Sequence, residues 1–167
     1  MTIKQFTQTY LPFAKQTEKE TGISALAILA QAAVESGWGK VAPGNMFFGI
    51  KDTDGINGNE QLLTTTEYTR SAKNPMPVAI SSTPVIRNGV KMFKHIGKDY
   101  FRKYKTPADS FTDHAKFFFQ NKRYAKALTV KSDPYKFIDA IAAAGYATAP
   151  NYAQVLKDVV RSISKFI

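Results

Sequence analysis

One segment constrains this chain more than any other. From Ala25 to Val34, Ala, Leu, Ile and Val fill nearly every position, and the run then meets a carboxylate, Glu35. Ala and Leu are strong helix formers, so Ala25 to about Ser36 is predicted to be a helix, with Ser24 as its cap and Gly37 and Gly39 as its stop. A helix that is apolar nearly all round belongs in a core. The run is too short to cross a bilayer, which takes roughly 20 apolar residues. The rest of the chain is expected to pack around it as one domain, residues 1–167.

The flanking sequence supplies the packing partners. Ile3, Phe6, Tyr10, Phe13 and Thr17 recur at helical spacing, and Gly22 is placed to stop that helix. Between roughly residues 45 and 100 the helical period disappears and Gly, Asn, Thr and Pro become frequent. Leu62 to Tyr68 has the Thr and aromatic content of a strand. Val85 to Phe93 sets Asn88-Gly89 between apolar flanks, a hairpin signal. This region is read as a small, flexible β-lobe, about residues 52–100. Helices then resume. Thr106-Pro107-Ala108-Asp109 is a helix start, with Phe111, Ala115, Phe118 and Phe119 on one face. Asp133-Pro134 starts another helix, which Gly145 stops. Asn151 starts the last, with a stripe of Tyr152, Val155, Leu156, Val159, Val160 and Ile163. The expected fold is α+β: a mainly helical body, a small β-lobe, and a ligand cleft between them.

Glu35 is the residue that suggests chemistry. It shares a face with Ile28 and Ala32, so an acid closes an apolar stripe. Burying a carboxylate without a partner is costly, and the group answers by raising its pKa. The negative helix C-terminus pushes the same way. A carboxylic acid that keeps its proton near neutrality is what general-acid cleavage of a glycoside needs. The bland alternative is a Glu paired with Lys40 or exposed at a fraying helix end. Gly37 and Gly39 let backbone approach a ligand closely. Trp38 offers a flat face for a sugar or for the core.

Composition narrows the classes. The chain has no cysteine, which excludes disulfides, thiol catalysis and Cys-ligated zinc. His95 and His114 are its two histidines, with no His-Glu-x-x-His and no metal-ligand spacing, so neither metal nor cofactor is expected. No Gly-x-Ser-x-Gly is present. His114, among core-facing phenylalanines, is expected to be structural. The net charge is +10, from 23 Lys+Arg against 13 Asp+Glu. Such a field favours anionic partners, but no motif that reads nucleic acid accompanies it. The N-terminus lacks a signal-peptide layout, so export is expected to use another route or a leader outside this sequence.

Five blocks carry a family resemblance. Ala30-Gln31-Ala32-Ala33-Val34-Glu35-Ser36-Gly37-Trp38-Gly39-Lys40 resembles the catalytic-helix signature of the glucosaminidase family of peptidoglycan hydrolases, glycoside hydrolase family 73, which takes in FlgJ-like and autolysin endo-β-N-acetylglucosaminidases. Asn45-Met46-Phe47-Phe48-Gly49-Ile50-Lys51 resembles its Asn-Asn-Leu-Phe-Gly-Ile-Lys block. Thr65-Thr66-Glu67-Tyr68 follows. Then come Phe101-Arg102-Lys103-Tyr104 through Ser110-Phe111-Thr112-Asp113-His114 to Arg123-Tyr124, and Ala144-Gly145-Tyr146-Ala147-Thr148 with Asn151-Tyr152. The blocks keep the family's order over about residues 20–155. Met46 and Ala149 depart from the pattern, and the Pro-containing stretch from Tyr68 to Phe101 is longer than the family's.

The resemblance implies a lysozyme-like fold and hydrolysis of the β-1,4 bond between N-acetylglucosamine and N-acetylmuramic acid. By position it makes Glu35 the general acid, Glu67 the second acid, and Tyr146 a tyrosine near the scissile bond. Trp38, Asn45, Phe48, Tyr68 and Tyr152 are the candidate substrate contacts. Asp52, Asp54 and Glu60 are rival second acids, read as solvated loop residues. Carboxyl groups about 6.5–9.5 Å apart invert and those about 5–5.5 Å apart retain configuration. A long separation, with Glu67 as general base, is expected. Assistance by the substrate's acetamido group is the alternative. The expected partner is the anionic cell wall, met by a monomer that neither binds nucleic acid nor enters a membrane. The rival functions are a lytic transglycosylase or muramidase, and a non-catalytic wall-binding module.

Overall fold

The first helix, α1 (Ile3–Thr21), opens with a capping box: Gln5 N–H donates to Thr2 Oγ1 (3.2 Å) and Thr2 N–H to Gln5 Oε1 (2.8 Å). It closes on Gly22, whose left-handed φ of 75° lets its N–H reach Glu18 O (2.7 Å). The next helix, α2 (Ala25–Glu35), is the apolar segment, buried along most of its length. Ser24 occupies its cap position but its hydroxyl makes no capping bond. Glu18 does this instead, its Oε1 accepting from Ala25 N–H at 3.0 Å.

A computed structural model describes all 167 residues and separates them into two units, Met1–Phe48 with Tyr104–Ile167, and Gly49–Lys103. The first unit is helical. Besides α1 and α2 it holds α3 (Pro107–Gln120), the short α4 (Ala125–Leu128), α5 (Pro134–Ala143) and α6 (Tyr152–Ser164). Thr106 caps α3 reciprocally with Asp109, and Asp133 caps α5 by accepting from Tyr135 and Lys136 N–H, both at 3.0 Å. Asn151 stands at the cap of α6 without a side-chain bond. The core between these helices is aromatic and aliphatic: Phe6, Leu29, Phe111, Phe118, Tyr124, Phe137, Ile141, Leu156 and Ile163 are fully buried. Three stripe positions fall outside it, the first being Ile3 at the start of α1, 36% exposed. Phe119 is 47% exposed, with Lys131 Nζ 5.0 Å from its ring, and Val155 is 38% exposed. Both sit one residue beyond a buried position, where a helix has already turned its face to water.

The second unit is a three-stranded antiparallel sheet of β1 (Glu60–Thr69), β2 (Val78–Arg87) and β3 (Val90–Arg102), in the order β1-β3-β2. Asn88 (φ 51°) and Gly89 (φ 75°) make the tight β2–β3 turn with both residues left-handed, as Asn-Gly hairpins require. Pro84 is tolerated because β2 is an edge strand. This unit has little apolar core. Its best-buried side chain is His95, tied by Thr69 Oγ1 (2.9 Å), Ser82 Oγ (2.7 Å) and Ser71 O (3.0 Å). Gly97 packs against Met76 and Val78 O, where a Cβ would come within 2.6 Å of that carbonyl.

Candidate active site

Glu35 is the last residue of α2, so rigid helix sets where its side chain starts. The chain then turns through three successive left-handed residues, Gly37 (φ 56°), Trp38 (φ 62°) and Gly39 (φ 75°). For Trp38 that conformation costs about 1–2 kcal/mol. Ser36 holds the turn. Its hydroxyl donates to Ala32 O (2.6 Å) and accepts from Gly39 N–H (2.8 Å), while Trp38 N–H reaches Ala33 O (2.7 Å). The half-buried Trp38 ring stands edge-on to Phe6 at 5.5 Å. A Cβ on Gly39 would meet Tyr10 at 3.2 Å, so glycine is needed there twice over.

Glu35 is exposed at the helix end, yet neighbouring protein partly desolvates the carboxyl and raises its pKa above the ordinary value. No cation offsets this, since Lys40 forms no ion pair with it. Two phenols lie near enough to feel its charge. Burial foremost, with Glu35 contributing, drives the Tyr146 hydroxyl far above the usual phenol range and Tyr152 up to about 12. Both are therefore neutral hydrogen-bonding groups across the biological pH range.

These phenols belong to one network. Gln31 Nε2, a turn before Glu35, donates to Tyr152 OH at 3.2 Å. The Tyr152 and Tyr146 rings stack at 5.5 Å. Tyr146 OH lies 2.7 Å from His114 Nε2, and the His114 ring stacks face to face on Phe48 at 3.7 Å. Burial pushes the His114 imidazole down to about 3, so it is neutral.

The sheet unit holds the other acid. Glu67, on β1, forms an ion pair with Lys51, which also bridges to Asp99 on β3 at 2.7 Å. The hydrogen bonds that Lys51 donates to Asp99 and then to Glu67 hold its ammonium above its usual range. Tyr68 is partly exposed, with the Arg87 guanidinium 4.2 Å over its ring. Glu60 closes a turn by accepting from Asn57 and Gly58 N–H (3.0 and 2.8 Å), and Asp54 accepts from Asn57 Nδ2 (3.0 Å).

The sequence-predicted residues of the helical unit thus fall into three groups, apart from Glu67 and Tyr68 on the sheet. Glu35, Tyr146 and Tyr152 come together. Trp38 adjoins them along the chain. Phe48 and Asn45 are committed to structure: Phe48 is 3% exposed under His114, and Asn45 Nδ2 donates to Tyr104 O (3.0 Å) and Lys105 O (3.1 Å). Tyr152 is likewise buried, and its hydroxyl accepts from Gln31. Sequence reasoning missed Gln31, His114 and the Lys51–Asp99 bridge. The first two lie inside blocks that carry the family resemblance, which was the available signal.

Known structures share this architecture. A C-terminally truncated glycoside hydrolase domain of Salmonella typhimurium FlgJ superposes with a TM-score of 0.72 at 29% identity, over 98% of this chain and 99% of that one. The catalytic domain of the Listeria monocytogenes autolysin Auto matches at 0.72 and 22% identity, over 99% and 87%, a likeness of fold. The fold is thus the α+β, lysozyme-like one of glycoside hydrolase domains. A family model described as glucosaminidase, mannosyl-glycoprotein endo-beta-N-acetylglucosaminidase, matches residues 11–165, and the chain belongs to that family. The peptidoglycan hydrolase FlgJ of Pseudomonas aeruginosa is 31% identical over 97% of this chain and 37% of its own length. The chain spans less than half the length of the curated FlgJ relatives it matches. No helix is long and apolar enough to cross a membrane.

Proposed function

We propose that this chain hydrolyses the glycan of peptidoglycan at the β-1,4 bond between N-acetylglucosamine and N-acetylmuramic acid, with Glu35 as general acid. The observation that carries the reading is a carboxyl raised by desolvation with no cation to lower it, at the end of a core helix and beside two neutral phenols. Such a group holds the proton a leaving sugar oxygen must receive. The relatives' description as peptidoglycan hydrolases supplies the substrate class, and a net charge of +10 suits an anionic wall.

Glu67 takes the second role, as general base for a water, giving inversion. Its ion pair with Lys51 holds the side chain in place. Tyr146 steadies the reacting sugar. Trp38 and Tyr68 contribute exposed ring surface for sugar contact. The site of action is the cell wall.

Mass spectrometry of muropeptides released from purified wall tests the reading. Wild type should leave a reducing N-acetylglucosamine end, and Glu35→Gln should release almost nothing. Anhydro ends in place of reducing ends would make the chain a lytic transglycosylase. In that case Glu67→Gln would cost little activity. Product anomers followed by NMR decide between inversion through Glu67 and retention through the substrate's acetamido group.

A further inference from the structure

Glu67 and Tyr68 are consecutive residues of β1, so their side chains leave opposite faces of the sheet. A sugar ring lying flat on Tyr68 is therefore not the ring that Glu67 serves. We infer that the sheet face opposite Glu67 is a second binding surface, and that its occupant is a carboxylate-bearing glycan strand of the wall other than the strand being cut. The inference rests on the reading of the chain as a peptidoglycan hydrolase.

The strand register divides charge between the two faces. Glu67 and Asp99, the acids of the strands between Leu62 and Tyr100, lie on the same face. The other face carries Lys94 and Lys98 of β3 and Arg87 of β2, with no acid among them. Tyr68 and Thr83 flank Lys94 across the strands, and Thr64 and Val78 flank Lys98. The two lysines stand about 13 Å apart along the extended strand. Arg87 covers one side of the Tyr68 ring at 4.2 Å, and the tyrosine remains 37% exposed. Along β1 this face is the open one: Leu62, Thr64, Thr66 and Tyr68 meet solvent, while Leu63, Thr65 and Glu67 are half-buried.

Charge selects an anionic partner for this face. The hydroxyls select a sugar. Thr64, Thr66 and Thr83 are exposed beside the lysines, where a glycan has hydroxyls and amides to pair with them and an acyl chain has none. Tyr68 adds a flat surface for the face of a pyranose. Cations spaced along a strand answer carboxylates that recur along a polymer better than they answer a single ion. Each such contact is weak in water, so the hold comes from several made at once. The surface keeps the enzyme on the wall while a cut strand leaves Glu35 and Glu67.

The test uses the full chain carrying Glu35→Gln, so that binding is read without turnover. The probes are soluble, uncrosslinked peptidoglycan strands with their peptides, the neutral hexamer of N-acetylglucosamine, and vesicles of phosphatidylglycerol with phosphatidylcholine. Lys94→Gln with Lys98→Gln should weaken binding of the strands about threefold to tenfold at low salt, and the gap should close near about 1 M salt. Lys94→Arg with Lys98→Arg should keep the original affinity, which separates lost charge from lost fold. Lys4→Gln with Lys15→Gln removes the same charge from exposed sites on α1 and should change binding less than about twofold. The hexamer should bind all these proteins alike. An equal loss from the α1 pair would reduce the effect to net charge and overturn the inference. So would a parallel loss of hexamer binding, or vesicles that bind more tightly than the strands through Lys94 and Lys98. Because no variant here needs to cut, the outcome is decided separately from the hydrolase reading, which muropeptide release by the wild type tests.

Discussion

The helical unit surrounds Glu35 with groups that stay neutral, whereas the sheet unit surrounds Glu67 with charge. Near Glu35 stand Tyr146, Tyr152 and Gln31, with His114 bonded to Tyr146, and none of the four ionises near neutrality. At Glu67 the neighbours are Lys51 and, through it, Asp99. Glu35 is desolvated, which favours its proton, whereas Glu67 is held in an ion pair. The cores follow the same division. The first unit packs rings and aliphatic chains, while the second is centred on a histidine satisfied by hydroxyls and a carbonyl.

Removing the neutral side of this contrast should have the largest effect. Glu35→Gln is expected to lower wall hydrolysis by about 10²–10⁴-fold, the range for losing a general acid, measured by release of reducing ends. The same substitution carries a pH signature. The folded carboxyl holds its proton above the unfolded value, so the stability it gains is complete at low pH and fades as pH rises through the raised pKa. Gln cannot ionise. Its thermal midpoint should match the wild type near about pH 4 and exceed it near about pH 8. Wild-type activity should also fall as pH rises through that same pKa. An unchanged midpoint difference across this range would remove the claim that Glu35 is desolvated.

The contrast in cores predicts the next effect. Phe111 is fully buried, with Phe47 at 5.1 Å and Phe48 at 6.2 Å. Phe111→Ala should cost about 3–5 kcal/mol in urea unfolding, because it opens a cavity in a packed core. Ile86, 75% exposed on the edge strand, should cost under about 0.5 kcal/mol as Ala. Equal losses at the two positions would contradict the division of the chain into a packed unit and a thinly cored one.

The charged side gives a smaller change. Lys51→Met removes the cation shared by Glu67 and Asp99. Stability should fall by no more than about 1 kcal/mol, since the pair is partly exposed and screened. Hydrolysis should fall about tenfold, because the carboxylate loses the group that fixes it. In a Glu67→Gln background the Lys51 substitution should have little further effect on rate. An additive loss would show that Lys51 does not act through Glu67.

The sequence revealed periodic and local features more readily than long-range ones. The α2 helix, the Asn88-Gly89 hairpin, the Thr106-Pro107 start and the place of Glu35 at the end of α2 were legible because each rests on neighbours along the chain. The Lys51–Asp99 bridge and the His114–Tyr146 bond were not, because they join residues dozens of positions apart. Phe119 and Val155 were misplaced for a different reason. Apolar stripes read from sequence run one residue too wide, and only packing decides which edge residue is left outside. The cap of α2 shows the same limit at short range.

Ser24 has the composition of a cap and Glu18 has the position of one. The helix that ends on Glu35 begins with an amide that bonds to Glu18 Oε1 at 3.0 Å, while the buried Ser24 hydroxyl makes no capping bond. The acceptor comes from the last turn of α1, so the cap also ties α1 to α2. Glu18→Ala should therefore destabilise the fold by about 1 kcal/mol, as loss of an N-cap acceptor does, whereas Ser24→Ala should cost no more than a few tenths. The helix would fray at Ala25, a full helix length from Glu35, so hydrolysis per folded molecule should be unchanged. If Ser24→Ala proved the costlier of the two, the capping would belong to the local serine after all, and the tie between α1 and α2 would have to come from packing alone.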